Sequence, residues 1–187
     1  MNIDFLKKEL ATVLSKKRYE HSIRVLNTAL ALGEIYNANL NEIAIASLLH
    51  DYAKEFTREE LIKISKEHFT EETKDYITNV EILHSYVASY IAKEKFKIDN
   101  TDILNAIKFH TTGRKNMSLV EKIVYVADAI EPKRDYPYVE EIRDLALVNL
   151  NKAILLEVNK KIEHLIKGNY VIHINSIEMR NWLLKIS

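Results

Sequence analysis

Apolar residues recur at intervals of three and four along nearly the whole chain, which is the spacing of one face of an α-helix. Only three glycines and two prolines occur among the 187 residues, so the chain has few of the turn signals that a β-rich fold requires. The sequence therefore predicts an all-α protein that folds as a single-domain helical bundle. No repeat, low-complexity segment or linker divides residues 1–187.

Helix-start signals refine this prediction. Thr57–Glu60 and Ser118–Glu121 both have the capping-box pattern, in which a hydroxyl residue precedes a glutamate by three positions. We expect short helices or loop over 66–78 and extended chain over 169–175. The remaining helices are predicted at about 3–14, 17–36, 42–50, 57–66, 84–96, 101–110, 118–130, 138–147, 151–167 and 176–184.

The charge balance and the absence of cysteine exclude several classes of protein. The net charge is zero and the pI is about 7.1, so no global basic field would hold nucleic acid or an anionic membrane. Without cysteine there is no disulfide, thiolate metal site or cysteine nucleophile. No apolar run approaches the ~20 residues that span a bilayer, and the charged N-terminus lacks a signal-peptide core. We expect a cytoplasmic protein with no nucleic-acid or membrane partner.

One apolar segment ends abruptly in two polar residues, His50 and Asp51. A buried charge is costly unless it is paired or bound to a metal ion, so this pair requires a partner. The pair alone is weak evidence in a chain with seven histidines, because histidine also suits a helix C-terminus.

Four further residues strengthen the case for a site. His21 lies near a helix start, His84 opens a predicted helix, His110 ends another, and Asp128 interrupts an apolar segment. Together these residues supply imidazoles and carboxylates from five helices. Such mixed nitrogen and oxygen donors suit iron, manganese or zinc better than calcium or magnesium, and helical bundles often build metal sites from inward-facing side chains.

The order of His21, His50-Asp51 and Asp128 resembles that of the HD-domain metal-dependent phosphohydrolases. More specifically, the chain resembles the YqeK family over about residues 15–184. The matching motifs are Arg-Tyr-x-His-Ser at 18–22, Leu-Leu-His-Asp-x-x-Lys at 48–54, Ala-Ile-x-x-His-Thr-Thr-Gly-Arg at 106–114, Val-Ala-Asp-Ala-Ile-Glu-Pro-x-Arg at 126–134 and the tail at 173–183. The chain departs from the family at Ser85 and Ala88, where glycine is usual. The resemblance implies an HD-domain core at about 18–132, with C-terminal helices at about 138–187 packing on it.

The resemblance also implies an activity, which is the symmetrical hydrolysis of diadenosine tetraphosphate to two molecules of ADP. The implied cofactor is iron, as one or two ions, with manganese or zinc as alternatives. On this hypothesis His21, His50, Asp51 and Asp128 bind the metal, whereas His84 and His110 bind either a second metal ion or the phosphates. Substrate contacts are assigned to Lys54, Thr111, Arg134 and His173, and catalytic roles to Asp51, Lys54 and Asp128.

Other functions stay open at this point. The chain is a candidate for another HD phosphohydrolase, acting on nucleoside monophosphates or cyclic dinucleotides. It is also a candidate for a di-iron oxygenase or for a nucleotide-binding module without catalysis. In the favoured interpretation the partner is a small nucleotide, and a homodimer is left open.

Overall fold

A computed structural model describes residues 2–186, and the regular structure in that range is helical. Its α-helices, numbered in chain order, are α1 (Ile3–Val13), α2 (Lys16–Ile35), α3 (Leu40–Leu49), α4 (Arg58–His68), α5 (Thr70–Thr73), α6 (Val80–Glu94), α7 (Thr101–Phe109), α8 (Leu119–Ile130), α9 (Val139–Val148), α10 (Leu150–Lys167) and α11 (Ile174–Ile186). A short 3₁₀ turn, Lys74–Tyr76, follows α5. The prediction of an all-α fold is confirmed.

Local capping explains where several helices begin. Both predicted capping boxes are present, with Thr57 and Ser118 each accepting from the backbone N–H of a glutamate that reaches back to the cap. The start of α6 was predicted wrongly at His84. The helix begins one turn earlier, at Val80, because the side chain of Asn79 accepts from the backbone N–H of Glu81 and caps it. His84 therefore lies in the second turn of α6 and is buried.

The chain between α10 and α11 is shorter than predicted. Residues 169–173 form neither helix nor strand, and Asn169 has a φ of 51°. Helix α11 begins at Ile174, inside the segment predicted to be extended, and the backbone N–H of Ser176 donates to the carbonyl of His173. The 66–78 segment was predicted correctly as short helical pieces.

Helix α3 lies at the centre of the bundle. All seven residues from Ile43 to Leu49 are buried, and the helix packs against α1, α2, α6, α7 and α8. Burying a large aliphatic side chain contributes roughly 1.5–3 kcal/mol each, so this helix anchors the fold. Its C-terminal end consequently lies inside the protein, which places His50 and Asp51 there.

The C-terminal helices cover one side of this core. Helix α10 packs against α8 and α9, and α11 packs against α10. Among the described residues, no helix is both long enough and apolar enough to cross a membrane.

Candidate metal centre

Five helices bring six polar side chains to one buried position. His21 projects from α2, His84 from α6 and Asp128 from the last turn of α8, while His50 and His110 directly follow α3 and α7. The sixth residue, Asp51, comes directly after His50, and the six are buried or nearly so. The fold thus gathers all six residues that the sequence singled out.

Asp51 lies between two pairs of histidines. Its Oδ2 atom is 3.6 Å from Nε2 of His21 and 3.5 Å from Nε2 of His50. Its Oδ1 atom is 3.1 Å from Nε2 of His84 and 3.6 Å from Nε2 of His110. Each carboxylate oxygen therefore faces a different pair of imidazoles.

Asp128 joins His21, His50 and Oδ2 of Asp51 in a first group of candidate ligand atoms. Its Oδ1 atom lies 3.1 Å from Nε2 of His21, and one of its carboxylate oxygens lies within 4.8 Å of nitrogens from His50 and His110. A second group consists of Oδ1 of Asp51, His84 and His110. In this group Nε2 of His84 lies 3.1 Å from Nε2 of His110.

Hydrogen bonds on the opposite ring nitrogens fix the tautomers of three histidines. Nδ1 of His50 donates to the carbonyl of Ser47 at 2.7 Å, and Nδ1 of His110 donates to that of Ile107 at 2.8 Å. Nδ1 of His21 donates to a carboxylate oxygen of Glu131 at 3.2 Å. In the neutral imidazole, each Nε2 atom then presents a lone pair to the centre.

This arrangement suits a cation. Lone pairs on Nε2 face carboxylate oxygens, and the buried Nε2 atoms of His21 and His50 have no hydrogen-bond partner within residues 2–186. Two ligand atoms about 2.1 Å from one metal ion lie roughly 3.0–3.4 Å apart at octahedral or tetrahedral angles. The observed separations of 3.1–3.6 Å therefore fit a divalent metal ion.

The pKa values of Asp51, Asp128 and His110 also suit metal ligands. Burial alone would raise the pKa of Asp51, but His50, His110 and His84 hold it well below its usual range. Burial would likewise raise the pKa of Asp128, and His21, His50 and Arg134 hold it well below its usual range. Burial, with help from His50 and His84, lowers the pKa of His110 to about 4. Ionised carboxylates and a neutral imidazole are the forms that bind metals.

Glu131 is a functional residue that sequence reasoning missed. It is buried, contacts Nδ1 of His21, accepts from Nε of Arg24 at 2.5 Å and accepts from the backbone N–H of Lys133 at 2.9 Å. A carboxylate behind a ligating histidine sets its ring orientation and raises its basicity. The sequence signal for this role was an acidic residue three positions after Asp128, at the end of the same helix.

Two of the predicted substrate residues lie directly beside the cluster. Arg134 donates to Oδ1 of Asp128 at 2.6 Å and to its backbone carbonyl at 2.9 Å. The hydroxyl of Thr111 lies 3.2 Å from Nε2 of His110.

The other two lie further out. Nζ of Lys54 donates to Glu81 at 2.5 Å, and Glu81 lies one turn before His84 on α6. His173 forms no hydrogen bond or ring contact with the six central residues. It stacks on Tyr76 with ring centroids 4.0 Å apart, and its buried Nε2 atom has no hydrogen-bond partner in the described part of the chain.

Comparison with known proteins defines the class of protein first. Residues 18–133 match the family model described as the HD domain, so the chain belongs to the HD-domain family. Two curated relatives are named symmetrical bis(5'-nucleosyl)-tetraphosphatase. The one from Halalkalibacterium halodurans is 38% identical and the one from Bacillus subtilis is 37% identical, and in both cases the match covers 91% of this chain and 91% of the relative.

A crystal structure from Clostridium acetobutylicum, described as a predicted HD superfamily hydrolase involved in NAD metabolism, is also similar. It is 41% identical, with a TM-score of 0.95 over 100% of this chain and 99% of that one. Within the HD-domain proteins, the chain therefore belongs to the YqeK family of symmetrical bis(5'-nucleosyl)-tetraphosphatases. The resemblance drawn from the sequence motifs is confirmed.

Proposed function

We propose that this protein hydrolyses diadenosine tetraphosphate symmetrically, giving two molecules of ADP. The relatives named for this activity support the proposal, and the observation that carries it is the position of Asp51 between two pairs of imidazoles. In this reaction the oxygen of water bonds to one of the two inner phosphorus atoms. The bond from that phosphorus to the central bridging oxygen breaks, the bridging oxygen leaves on the second ADP, and the protons of the water pass to solvent.

The residues of the first group would hold one metal ion. His21, His50, Asp51 and Asp128 offer two imidazole nitrogens and two ionised carboxylates, which suit iron, with manganese or zinc as substitutes. When bound, a divalent ion lowers the pKa of a coordinated water molecule and polarises a phosphoryl oxygen. The residues of the chain orient these groups, and Asp51 and Asp128 balance the charge of the ion.

For His84 and His110, the tautomer of His110 favours a second metal ion over a phosphate contact. Its Nδ1 atom is committed as a donor to Ile107, so Nε2 has no proton to offer a phosphate oxygen. Together with Oδ1 of Asp51, the two histidines form a second set of three atoms within 4.8 Å of one another. On this proposal the carboxylate of Asp51 would help to hold both ions, because it belongs to both sets of ligand atoms.

The predicted substrate residues would bind around this centre. Arg134 uses two of its nitrogens on Asp128, which leaves a third to donate to phosphate. Lys54 supplies a cation on the His84 side, and Thr111 supplies a hydroxyl beside His110. The unpartnered Nε2 of His173 suits a polar atom of the nucleoside.

Anaerobic metal analysis combined with product chromatography tests the proposal. We expect iron-loaded protein to convert diadenosine tetraphosphate to ADP alone. ATP plus AMP as products would contradict symmetrical cleavage. Preferred turnover of nucleoside monophosphates or cyclic dinucleotides, oxygen consumption by the reduced protein, or tight nucleotide binding without turnover would support the alternatives instead.

Single alanine variants test the ligand assignment. His21→Ala, His50→Ala, Asp51→Ala and Asp128→Ala should each lose metal, and full occupancy in Asp128→Ala would contradict the assignment. His110→Ala separates the two roles of that residue. A fall from two ions to one per chain supports the second metal, whereas a raised KM at unchanged metal content supports the phosphate contact.

A further inference from the structure

A cleft of about 370 Å³ opens beside His21, between the first turns of α2 and the loop that follows α8. Five basic and two acidic side chains line it in addition to His21. Pockets for small molecules usually measure about 300–1,000 Å³, so this cleft has room for part of a dinucleotide rather than the whole. Its excess of positive charge suits a polyanion.

The basic side chains of the cleft fall into two classes. Arg18, Arg24 and Arg134 are committed to ion pairs, with Asp51, Glu131 and Asp128 respectively. The ammonium groups of Lys17 and Lys133 form no ion pair or side-chain hydrogen bond among residues 2–186, although both residues line the cleft. The two lysines are therefore free to bind an anionic ligand.

The cleft reaches the proposed metal centre at His21. His21 lines it, and Nε2 of the same residue lies 3.1 Å from Asp128 and 3.6 Å from Asp51. His84 and His110 face the opposite oxygen of Asp51, and Lys54 donates to Glu81 on α6. The cleft therefore lies on the His21 side of Asp51, whereas His84 and His110 lie on the other side of this carboxylate.

The proposed substrate is symmetrical about its central bridging oxygen. Cleavage at the central bridging oxygen of a dinucleoside tetraphosphate places one nucleoside diphosphate on each side of the reacting atoms. A site that holds only one of these halves would leave the second half in solvent. The cleft, on the His21 side of Asp51, lies where one of these halves would extend from the centre.

We propose that this cleft binds one nucleoside diphosphate half of the substrate, with Lys17 and Lys133 contacting its phosphates. The proposal rests on the proposed function and adds the location of one substrate half. The backbone at Lys133 is restrained, because Pro132 precedes it and its N–H donates to the carboxylate of Glu131. Lys17 lies in the first turn of the 20-residue helix α2, where the helix dipole also favours an anion.

Calorimetric titration of the metal-loaded protein with ADP tests this assignment, because ADP is the half-substrate and its binding requires no turnover. We expect two ADP molecules per chain in the wild type. The Lys17→Gln/Lys133→Gln variant should bind one with wild-type affinity and lose the other, or bind it at least tenfold more weakly. Its KM for diadenosine tetraphosphate should rise at least tenfold.

A matched variant controls for the loss of two charges. Lys8→Gln/Lys152→Gln removes two lysines that lie outside the cleft and form no ion pair in the described part of the chain, so it should match the wild type in both measurements. One ADP per wild-type chain, or identical behaviour of the two double variants, would overturn the assignment. Failure of the wild type to cleave diadenosine tetraphosphate would instead overturn the proposed function, whereas the ADP stoichiometry reports on the cleft alone.

Discussion

Glu131 sets the orientation of His21 at the metal centre, because it accepts from the ring nitrogen that faces away from the cluster. Replacing it with alanine should weaken metal binding about 10- to 100-fold, the usual cost of removing a carboxylate behind a ligating histidine. A competition titration with a chromogenic chelator measures this directly.

The variant Glu131→Gln should fall between alanine and wild type, since its amide oxygen still accepts from Nδ1 of His21. Glu20→Gln is the matched control, because the Glu20 carboxylate lines the same cleft and forms no hydrogen bond or ion pair with His21. Wild-type metal affinity in Glu131→Ala would show that His21 is oriented by its own packing.

His173 makes the stability of the fold depend on pH. Burial lowers its pKa from 6.5 to about 4 in the folded protein. Between these values the unfolded chain binds a proton and the folded chain does not, so the free energy of unfolding falls as the pH drops from 6.5 to 4.

The variant His173→Asn removes the titration and keeps a side-chain acceptor for the backbone N–H of Asn175, which His173 Nδ1 now serves. We expect urea unfolding at pH 7, 5.5 and 4 to show a smaller loss of stability in the variant than in the wild type. Parallel pH profiles would contradict this assignment.

At the scale of elements, the turn between α7 and α8 depends on Gly113. This residue has a φ of 64°, and a Cβ atom there would collide with Sδ of Met179 on α11. Gly113→Ala should therefore destabilise the fold by about 2 kcal/mol or more, through backbone strain and the steric conflict. Thermal unfolding measures the loss.

A double-mutant cycle with Met179→Ala separates the two causes. Truncating Met179 removes the atoms that a new Cβ would meet, so the double variant should lose less stability than the sum of the single variants. Additive losses would assign the whole effect to the backbone.

The sequence predicted helices better than their boundaries and contacts. Caps with strong signals, such as Thr57 and Ser118, were placed correctly, whereas Asn79 was missed because a single asparagine in a polar stretch is a weak signal. His50, Asp51 and Asp128 were recognisable because a polar residue in an apolar segment is costly without a partner. Glu131 was not, because its contact with His21 spans 110 positions and depends on how α2 packs against α8.

At the scale of the whole molecule, helices beyond the matched HD domain hold part of the centre in place. Nζ of Lys161 on α10 donates to the carbonyl of Thr111 at 2.8 Å, and the hydroxyl of Ser176 on α11 donates to that of Thr112 at 2.8 Å. Both contacts fix the chain that directly follows His110. The C-terminal helices thus support a proposed ligand that lies in the predicted HD-domain core, on which those helices were expected to pack.

Because the proposed ligands come from α2, α3, α6, α7 and α8, metal binding should stabilise the entire fold. A ligand present at 100 times its Kd adds about 2.7 kcal/mol when it binds only the folded state. For a chain of this size that corresponds to a rise in Tm of roughly 5–10 °C. Anaerobic thermal unfolding with iron, and then with excess chelator, measures the difference. Asp51→Ala, which removes the residue shared by both groups, should show no dependence of Tm on metal. An equal rise in Tm for this variant and the wild type would place the stabilising ion elsewhere in the protein.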